Sequence, residues 1–448
     1  MTESRASESR ATFASRLGTI LTMVGVAVGL GNVWRFPYLV GKFGGAAFVM
    51  FYIFVAVVIG IPALMAEWSL GRATRRGTLG AFERGGLPGG RFVGGALFCV
   101  VVAATAYYTN VVGWVLYFAL GELIAMGGMT LNAAAILPPQ SGFDLTSFAL
   151  QVACTSVVIV SCAIVLDRGL RAGIERSSQI IMPTLYVILL ILIVRAVTLP
   201  GAGAGLQWYL GKFEWHDLTP SVMVAAMGQA IFSLSLGGTF MVTYGSYLGD
   251  GEPLRGSAGW TVFGDTAAGI MAGLVIFPAV FAFGMEPASG PRLLFDTIPR
   301  VFAQMPGGAF FGLLFFLGLF GAAYLSDVAA FEVLIAGVVD NTRLTRRRAV
   351  WFMALIVWIV SLVPMLNLDI FVTWDLTFGS GMQTLGALLT VLTAGWFLKR
   401  GALLEQFGEP GIPRTVLVSM VRYVIPVAML GVGAWWMLTD VLGVVKGV

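Results

Sequence analysis

Charged side chains are scarce in this sequence. Asp, Glu, Lys and Arg make up 11% of its 448 residues, whereas a water-soluble domain carries about 25%. That shortage excludes a chain able to solvate its own surface, and the other side of the ledger agrees: 58% of residues are hydrophobic and mean hydropathy is +0.89. Histidine occurs once, as His216 between Trp215 and Asp217, where a surface-loop role competes with a proton relay. Cys99, Cys154 and Cys162 are the only cysteines. All three fall within apolar runs, so no disulfide framework is expected. There is no cluster of metal ligands, no phosphate-cradling Gly-Lys loop and no nucleophile with a base. An enzyme or nucleotidase built on those devices is therefore excluded. The net charge of +4 comes from basic residues scattered over short loops, which is no nucleic-acid footprint. Residues 1–15 mix Glu3 and Glu8 with arginines, and no short apolar core with a small-residue cleavage site follows, so a cleavable signal is not expected.

Long apolar runs fill the space that charge leaves. A helix of roughly 20 residues crosses a bilayer, and eleven such runs recur at 17–38, 44–71, 91–124, 147–166, 176–198, 219–248, 257–284, 308–338, 349–365, 371–398 and 415–438. The expectation is an all-α polytopic membrane protein forming one domain over 1–448, with the lipid bilayer as its surroundings. Basic residues sort by loop. With the N-terminus in the cytoplasm, 19 Lys and Arg lie on the cytoplasmic side and 7 outside, as the positive-inside bias demands. Eleven spans then put the C-terminus outside. The loop between spans 3 and 4 is short and has no Asn-x-Ser/Thr sequon, which favours a bacterial inner membrane.

Two spans carry glycine clusters near their middles. Span 1 reads Gly25-Val26-Ala27-Val28-Gly29-Leu30-Gly31-Asn32 and runs on to Trp34-Arg35-Phe36-Pro37; span 6 reads Ser233-Leu234-Ser235-Leu236-Gly237-Gly238-Thr239. Close helix packing on small residues explains either cluster alone. Together they open two halves of five spans each, and paired interrupted helices are the mark of inverted-repeat transporters. Backbone that leaves the helix at membrane depth must line a cavity or be buried. Its freed carbonyls can hold a cation, and a half-helix N-terminus can receive a carboxylate. Glu67, Asp265 and Asp327 are carboxylates inside spans 2, 7 and 8. Such residues are expensive and usually functional, though for Glu67 a structural hydrogen bond competes with ion coupling.

The string Gly25–Pro37 resembles the signature of the neurotransmitter:sodium symporter family, in its bacterial amino-acid transporter branch. The resemblance continues through Gly60-Ile61-Pro62, Glu67-Trp68, Gly71-Arg72, Tyr107-Tyr108, Gly228-Gln229-Ala230, Gly290-Pro291, Leu294-Phe295 and Pro306-Gly307-Gly308, and so covers nearly the whole chain. It implies a LeuT-like fold with two inverted five-helix repeats over 1–198 and 219–398, helices 1 and 6 unwound at mid-membrane, and helix 11 at 415–438. Many members have twelve spans; this chain is expected to close after eleven. The implied function is sodium-coupled import of amino acids by alternating access, with Na+ as the coupling ion and no obligate protein partner. A proton-coupled or sodium-independent exchanger on the same scaffold is the alternative. A membrane-embedded enzyme would need a convergent catalytic set, and a nutrient sensor would need a soluble output domain.

Residue by residue, the resemblance implies a first sodium site at Ala27, Asn32, Ser233 and Asp265. It implies a substrate pocket at Ala27, Gly29, Leu30, Gly31, Ala104, Tyr108, Phe232, Ser233, Ser235, Gly238, Ser326 and Ala330. Tyr108 and Phe232 would close over the substrate, Arg35 with Asp375 would form the outer gate, and Arg10 with Asp340 the inner one. Phe13 stands where relatives often have tryptophan, which implies a looser inner latch. Gly29 replaces the aspartate that pairs the amine in monoamine transporters, so the expected substrate is a zwitterionic α-amino acid. Ala104, Ala330 and Gly238 are smaller than their counterparts in the leucine-preferring relative, which implies a large, apolar substrate side chain, bulky or aromatic, with Trp, Phe, Tyr, Leu and Met as candidates. Asp265 supplies a fixed negative charge where chloride-dependent relatives hold the anion. The second sodium site would fall at Gly25, Val28, Ala322 and Ser326 and is expected to be weakened, because Leu325 stands where an oxygen ligand belongs. Asp327 could replace that oxygen only if a π-bulge rotated span 8.

Overall fold

The computed structural model describes residues 11–211, 213–287, 293–408 and 411–438. Gly290-Pro291 and the basic residues Arg5, Lys212, Arg292 and Lys446 lie outside them. Among the described residues the chain is helical throughout, without strands, and helical stretches occupy the place of each expected span. They are α1, in two pieces Arg16–Ala27 and Gly31–Phe43; α2, Gly45–Thr74; α3, Gly90–Met126; α4, Leu145–Asp167; and α5, Leu170–Val197. The second set begins with α6, in two pieces Pro220–Ser233 and Phe240–Gly245. It continues with α7, Leu254–Ala282; α8, Gly308–Asn341; α9, Arg346–Ser361; α10, over 368–397; and α11, Ile412–Trp435.

Seven of these are long and apolar enough to cross a membrane by length and composition, or eight if the two pieces of α1 count as one span. The others fall short for physical reasons. The pieces of α6 are separated by a break, α9 opens on three arginines, and α10 passes through wide turns at Asp375–Gly381.

Local chemistry sets the helix ends. Ser15, Asp144, Thr219 and Asn367 cap N-termini by accepting backbone N–H bonds, which satisfies donors that a helix start leaves orphaned. Gly44, at φ +94°, lets the chain turn from α1 into α2. The radial order of polarity is inverted relative to a soluble protein. Phe54, Phe92, Val194, Phe263 and Val427 are exposed, whereas Glu67, Asp265, Asp327 and Glu332 are buried. Lipid is the environment in which that arrangement is stable. Both broken helices lie at the centre: α1 packs on α5, α7 and α8, and α6 on α2, α10 and α11.

Candidate functional site

The two breaks meet at the middle of the molecule. In α1 the backbone leaves the helix at Val28, with ψ 119°, and resumes in a wide turn at Gly31–Arg35. In α6 it leaves after Ser233; Ser235, Gly237 and Thr239 are left-handed, at φ +52°, +86° and +57°. Gly237 is required at its position. Besides its φ, an added Cβ would lie 1.9 Å from the Gln383 carbonyl oxygen. Side chains tie the breaks to each other and to the scaffold. Gln229 Nε2 donates to the Gly31 carbonyl at 2.8 Å, and the Ser235 hydroxyl to Val26 at 2.9 Å. Glu67 Oε1 accepts the Gly237 N–H at 2.8 Å. That bond is the structural one of the two roles expected for Glu67, whose Oε2 is buried without a hydrogen-bond partner among the described residues.

Below the breaks, oxygen atoms converge. Asn32 Nδ2 donates to Asp265 Oδ1 at 2.7 Å and to Ser233 Oγ at 2.9 Å, while its carbonyl accepts the Gly29 N–H at 3.0 Å. The Ser233 hydroxyl donates to Asp265 Oδ2 at 2.8 Å, and the Tyr52 hydroxyl to the same oxygen at 3.2 Å. Gln229 Oε1 is buried without a hydrogen-bond partner among the described residues. A buried carboxylate ringed by hydroxyl and amide oxygens is a donor set that suits a hard cation. Asn32, Ser233 and Asp265 of the expected first site are together here. Tyr52 belongs to the same cluster.

Above it lies a cavity of about 70 Å³. Ten of the twelve expected pocket residues line it: Ala27, Gly29, Gly31, Ala104, Tyr108, Phe232, Ser235, Gly238, Ser326 and Ala330. Ser233 sits in the oxygen cluster instead, and Leu30 lines a vestibule of about 500 Å³ on the far side of Tyr108 and Phe232. Those two aromatic residues border both spaces and stand between them. The Tyr108 hydroxyl accepts the Leu30 N–H at 3.3 Å. The expected enlargement at Gly238 does not stand open: the Phe240 ring folds back over it, 2.2 Å from where a Gly238 Cβ would be. Val101, Thr105, Phe240, Phe378 and Gln383 also line the cavity, unforeseen from the sequence. Val101 and Thr105 share a helix face with Ala104 and Tyr108 at spacings of three and four, a signal that was available.

The second expected cation site is apolar where it should be polar. Leu325 points its Cδ1 at Gly25, 3.0 Å from a built Cβ, and the Ser326 hydroxyl donates to Val28 O at 3.0 Å. Ala322 is buried on the same face. This donor set does not fit a desolvated cation. Asp327 does not compensate, because α8 runs as an unbroken α-helix and keeps it about 100° round from Ser326. Its oxygens meet the Thr109 hydroxyl at 2.9 Å and Cys162 Sγ at 3.7 Å, toward α3 and α4.

Of the gate residues, Arg35 and Asp375 both face the vestibule, but no ion pair joins them among the described residues. The Arg35 guanidinium lies 4.2 Å from the Phe232 ring centroid instead, a cation–π contact. Arg10 lies outside the described residues. Asp340 Oδ2 accepts the Gly77 N–H at 2.9 Å. At that same end Phe13 meets Tyr247 edge to face, with centroids 6.4 Å apart, and Glu175 accepts the Ala14 N–H at 2.9 Å.

Comparison with known proteins gives one consistent picture. A profile of the sodium:neurotransmitter symporter family matches residues 10–125 and 141–408. An uncharacterized sodium-dependent transporter of Haemophilus influenzae is 31% identical, over 94% of this chain and 97% of its own length. The sodium-dependent transporter YhdH of Bacillus subtilis is 29% identical over 93% of this chain and 96% of its own. Among solved structures, that of MhsT in complex with L-phenylalanine superposes with a TM-score of 0.82 at 31% identity, covering 94% of this chain and 99% of MhsT. The fold is that of LeuT.

Proposed function

The chain belongs to the sodium:neurotransmitter symporter family, whose members are transporters and not enzymes, and from that premise we propose that it couples sodium entry to the import of hydrophobic, bulky or aromatic L-amino acids by alternating access. The observation that carries this reading is a vertical arrangement of polarity. The Asp265–Ser233–Asn32 oxygen cluster lies beside the break in α1, and the adjoining cavity is apolar toward Val101, Ala104 and Ala330. A substrate α-carboxylate reaching the backbone N–H groups of the α1 break would share the sodium bound at Asp265, which ties the two fluxes together. Its side chain would fill the apolar end. MhsT, with its bound L-phenylalanine, is in keeping with such a substrate.

In this reading the repeats span 1–198 and 219–398, the vestibule end faces outward across a cell membrane, and the N-terminus is cytoplasmic. One sodium accompanies each substrate, because Leu325 leaves the second site without its oxygen. The decisive experiment is uptake of radiolabelled phenylalanine, leucine and tryptophan into liposomes holding the purified protein. An inward sodium gradient should raise initial uptake at least about tenfold. Uptake that follows a pH gradient and ignores sodium would favour the proton-coupled alternative.

A further inference from the structure

Within the cavity, nearly every polar side chain already has a partner. The hydroxyls of Thr105, Ser235 and Ser326 donate to the carbonyls of Val101, Val26 and Val28, at 2.7, 2.9 and 3.0 Å. Tyr108 takes the Leu30 N–H, and Tyr107 bonds Asp375. Gln383 is different. Its carboxamide lines the cavity, with Nε2 3.5 Å from the place of a Gly238 Cβ, and it has no hydrogen-bond partner among the described residues.

The fold holds it there. Gly237 and Gly386 press the α6 break against α10 so closely that a Cβ on Gly386 would lie 2.1 Å from the Gly237 oxygen. The carbonyl of Gln383 itself packs on Gly237. No side chain larger than hydrogen fits in that seam, so the amide's place beside Gly238 follows from the backbone. The surrounding wall is apolar, with Val101, Ala104, Phe240 and Phe378. A partly buried amide without an internal partner keeps both its N–H and its oxygen available, and by turning about its last bond it can present the oxygen as an acceptor to a donor carried by the substrate.

We propose that Gln383 is a specificity-determining residue: its carboxamide oxygen accepts a hydrogen bond from a ring N–H or O–H at the edge of an aromatic substrate side chain. The selected class is therefore an aromatic amino acid bearing such a donor, with tryptophan as the best example, over phenylalanine. This inference rests on the amino-acid reading above and refines it.

The test measures sodium-dependent binding to the full-length purified protein for three ligands. They are tryptophan, phenylalanine and 3-benzothienylalanine, in which sulfur replaces the indole N–H at nearly constant size. Wild type should bind tryptophan about tenfold more tightly than the benzothienyl analogue, the scale of one satisfied hydrogen bond. In Gln383→Met that gap should close through weaker tryptophan binding, with phenylalanine binding held within about twofold. Retained phenylalanine binding also reports that the variant is folded, and the analogue comparison in wild type decides the matter if it is not. Equal affinity for tryptophan and its analogue in wild type overturns the proposal and leaves the amino-acid reading intact. So does an equal loss of all three ligands in a folded Gln383→Met. Sodium-dependent binding of none of the three would overturn both.

Discussion

A Cβ on Gly29 would lie 2.5 Å from Ser326 Oγ and 2.7 Å from the Tyr108 hydroxyl, two groups that close the cavity around the α1 break. The position is thus occupied by its neighbours, and any side chain must displace them. Gly29→Asp should reduce amino-acid uptake more than tenfold, the overpacking of a filled site costing about 1–3 kcal/mol before the added charge is counted. It should gain no dopamine or serotonin transport, since the room for an amine partner is absent; monoamine uptake by the variant would refute this. Asp265 is the complementary case, a charge whose value lies in staying. It is buried and held by Asn32, Ser233 and Tyr52, so a second anion about 4 Å away would meet about 4 kcal/mol of repulsion at an effective dielectric of 20. Wild-type uptake should therefore be unchanged when chloride is replaced by gluconate, while Asp265→Asn should lose at least about tenfold of its sodium-dependent rate. A chloride requirement in wild type would sink the idea.

Among elements, the break in α6 depends on a bond from outside it. The Gly237 N–H is left without a helical partner and is taken by Glu67 on α2. The role asks for an acceptor, not a charge. Glu67→Gln keeps a carbonyl oxygen at that distance and should retain uptake within about threefold, whereas Glu67→Leu orphans the buried N–H at a cost of about 1–3 kcal/mol and should lose most of it. Equal impairment in both variants would instead point to the charge, and so to ion coupling. The position of the two breaks is legible in the sequence because glycine clusters recur at the start of two matching sets of five apolar runs. The occupants of the cavity are only half legible. Residues of α3 follow from helical spacing around Tyr108. Phe240 does not, because the direction of its ring depends on the left-handed turn at Thr239, and no periodicity crosses such a turn. Gln383 stands in an apolar run at no telling spacing, and only the Gly237–Gly386 seam shows what it faces. Sequence places Arg35 and Asp375 at one vestibule, and both line it; the contact of the guanidinium with the Phe232 face is set by the α6 break and has no signal in the sequence.

For the whole molecule, the two ends differ in how they are packed. The vestibule reaches down to Tyr108 and Phe232, while the other end is tied shut. There Arg75 pairs with Asp250, Glu332 holds Arg346 at 2.7 Å and Tyr247 at 2.5 Å, and Glu175 clasps the start of α1. In the alternating-access cycle proposed above that end must open, and a cation bound between α1 and α8 would join those two helices. Here the α1–α8 seam is closed by the Ser326–Val28 hydrogen bond and by Leu325 packed against Gly25, contacts that do not depend on sodium. In the single-sodium reading proposed above, the sodium dependence would rest on the Asp265 cluster. Titrating substrate binding with sodium should give a Hill coefficient near one in wild type. Leu325→Thr restores an oxygen beside Gly25 and should raise the coefficient toward two, at some loss of affinity at low sodium because the seam has been loosened. Asp327→Ala tests the other route: Asp327 faces Thr109 and Cys162, away from this seam, so the variant should leave the coefficient where it was. A wild-type coefficient near two would mean that α8 rearranges to offer an oxygen in place of Leu325, and the single-sodium mechanism would have to be abandoned.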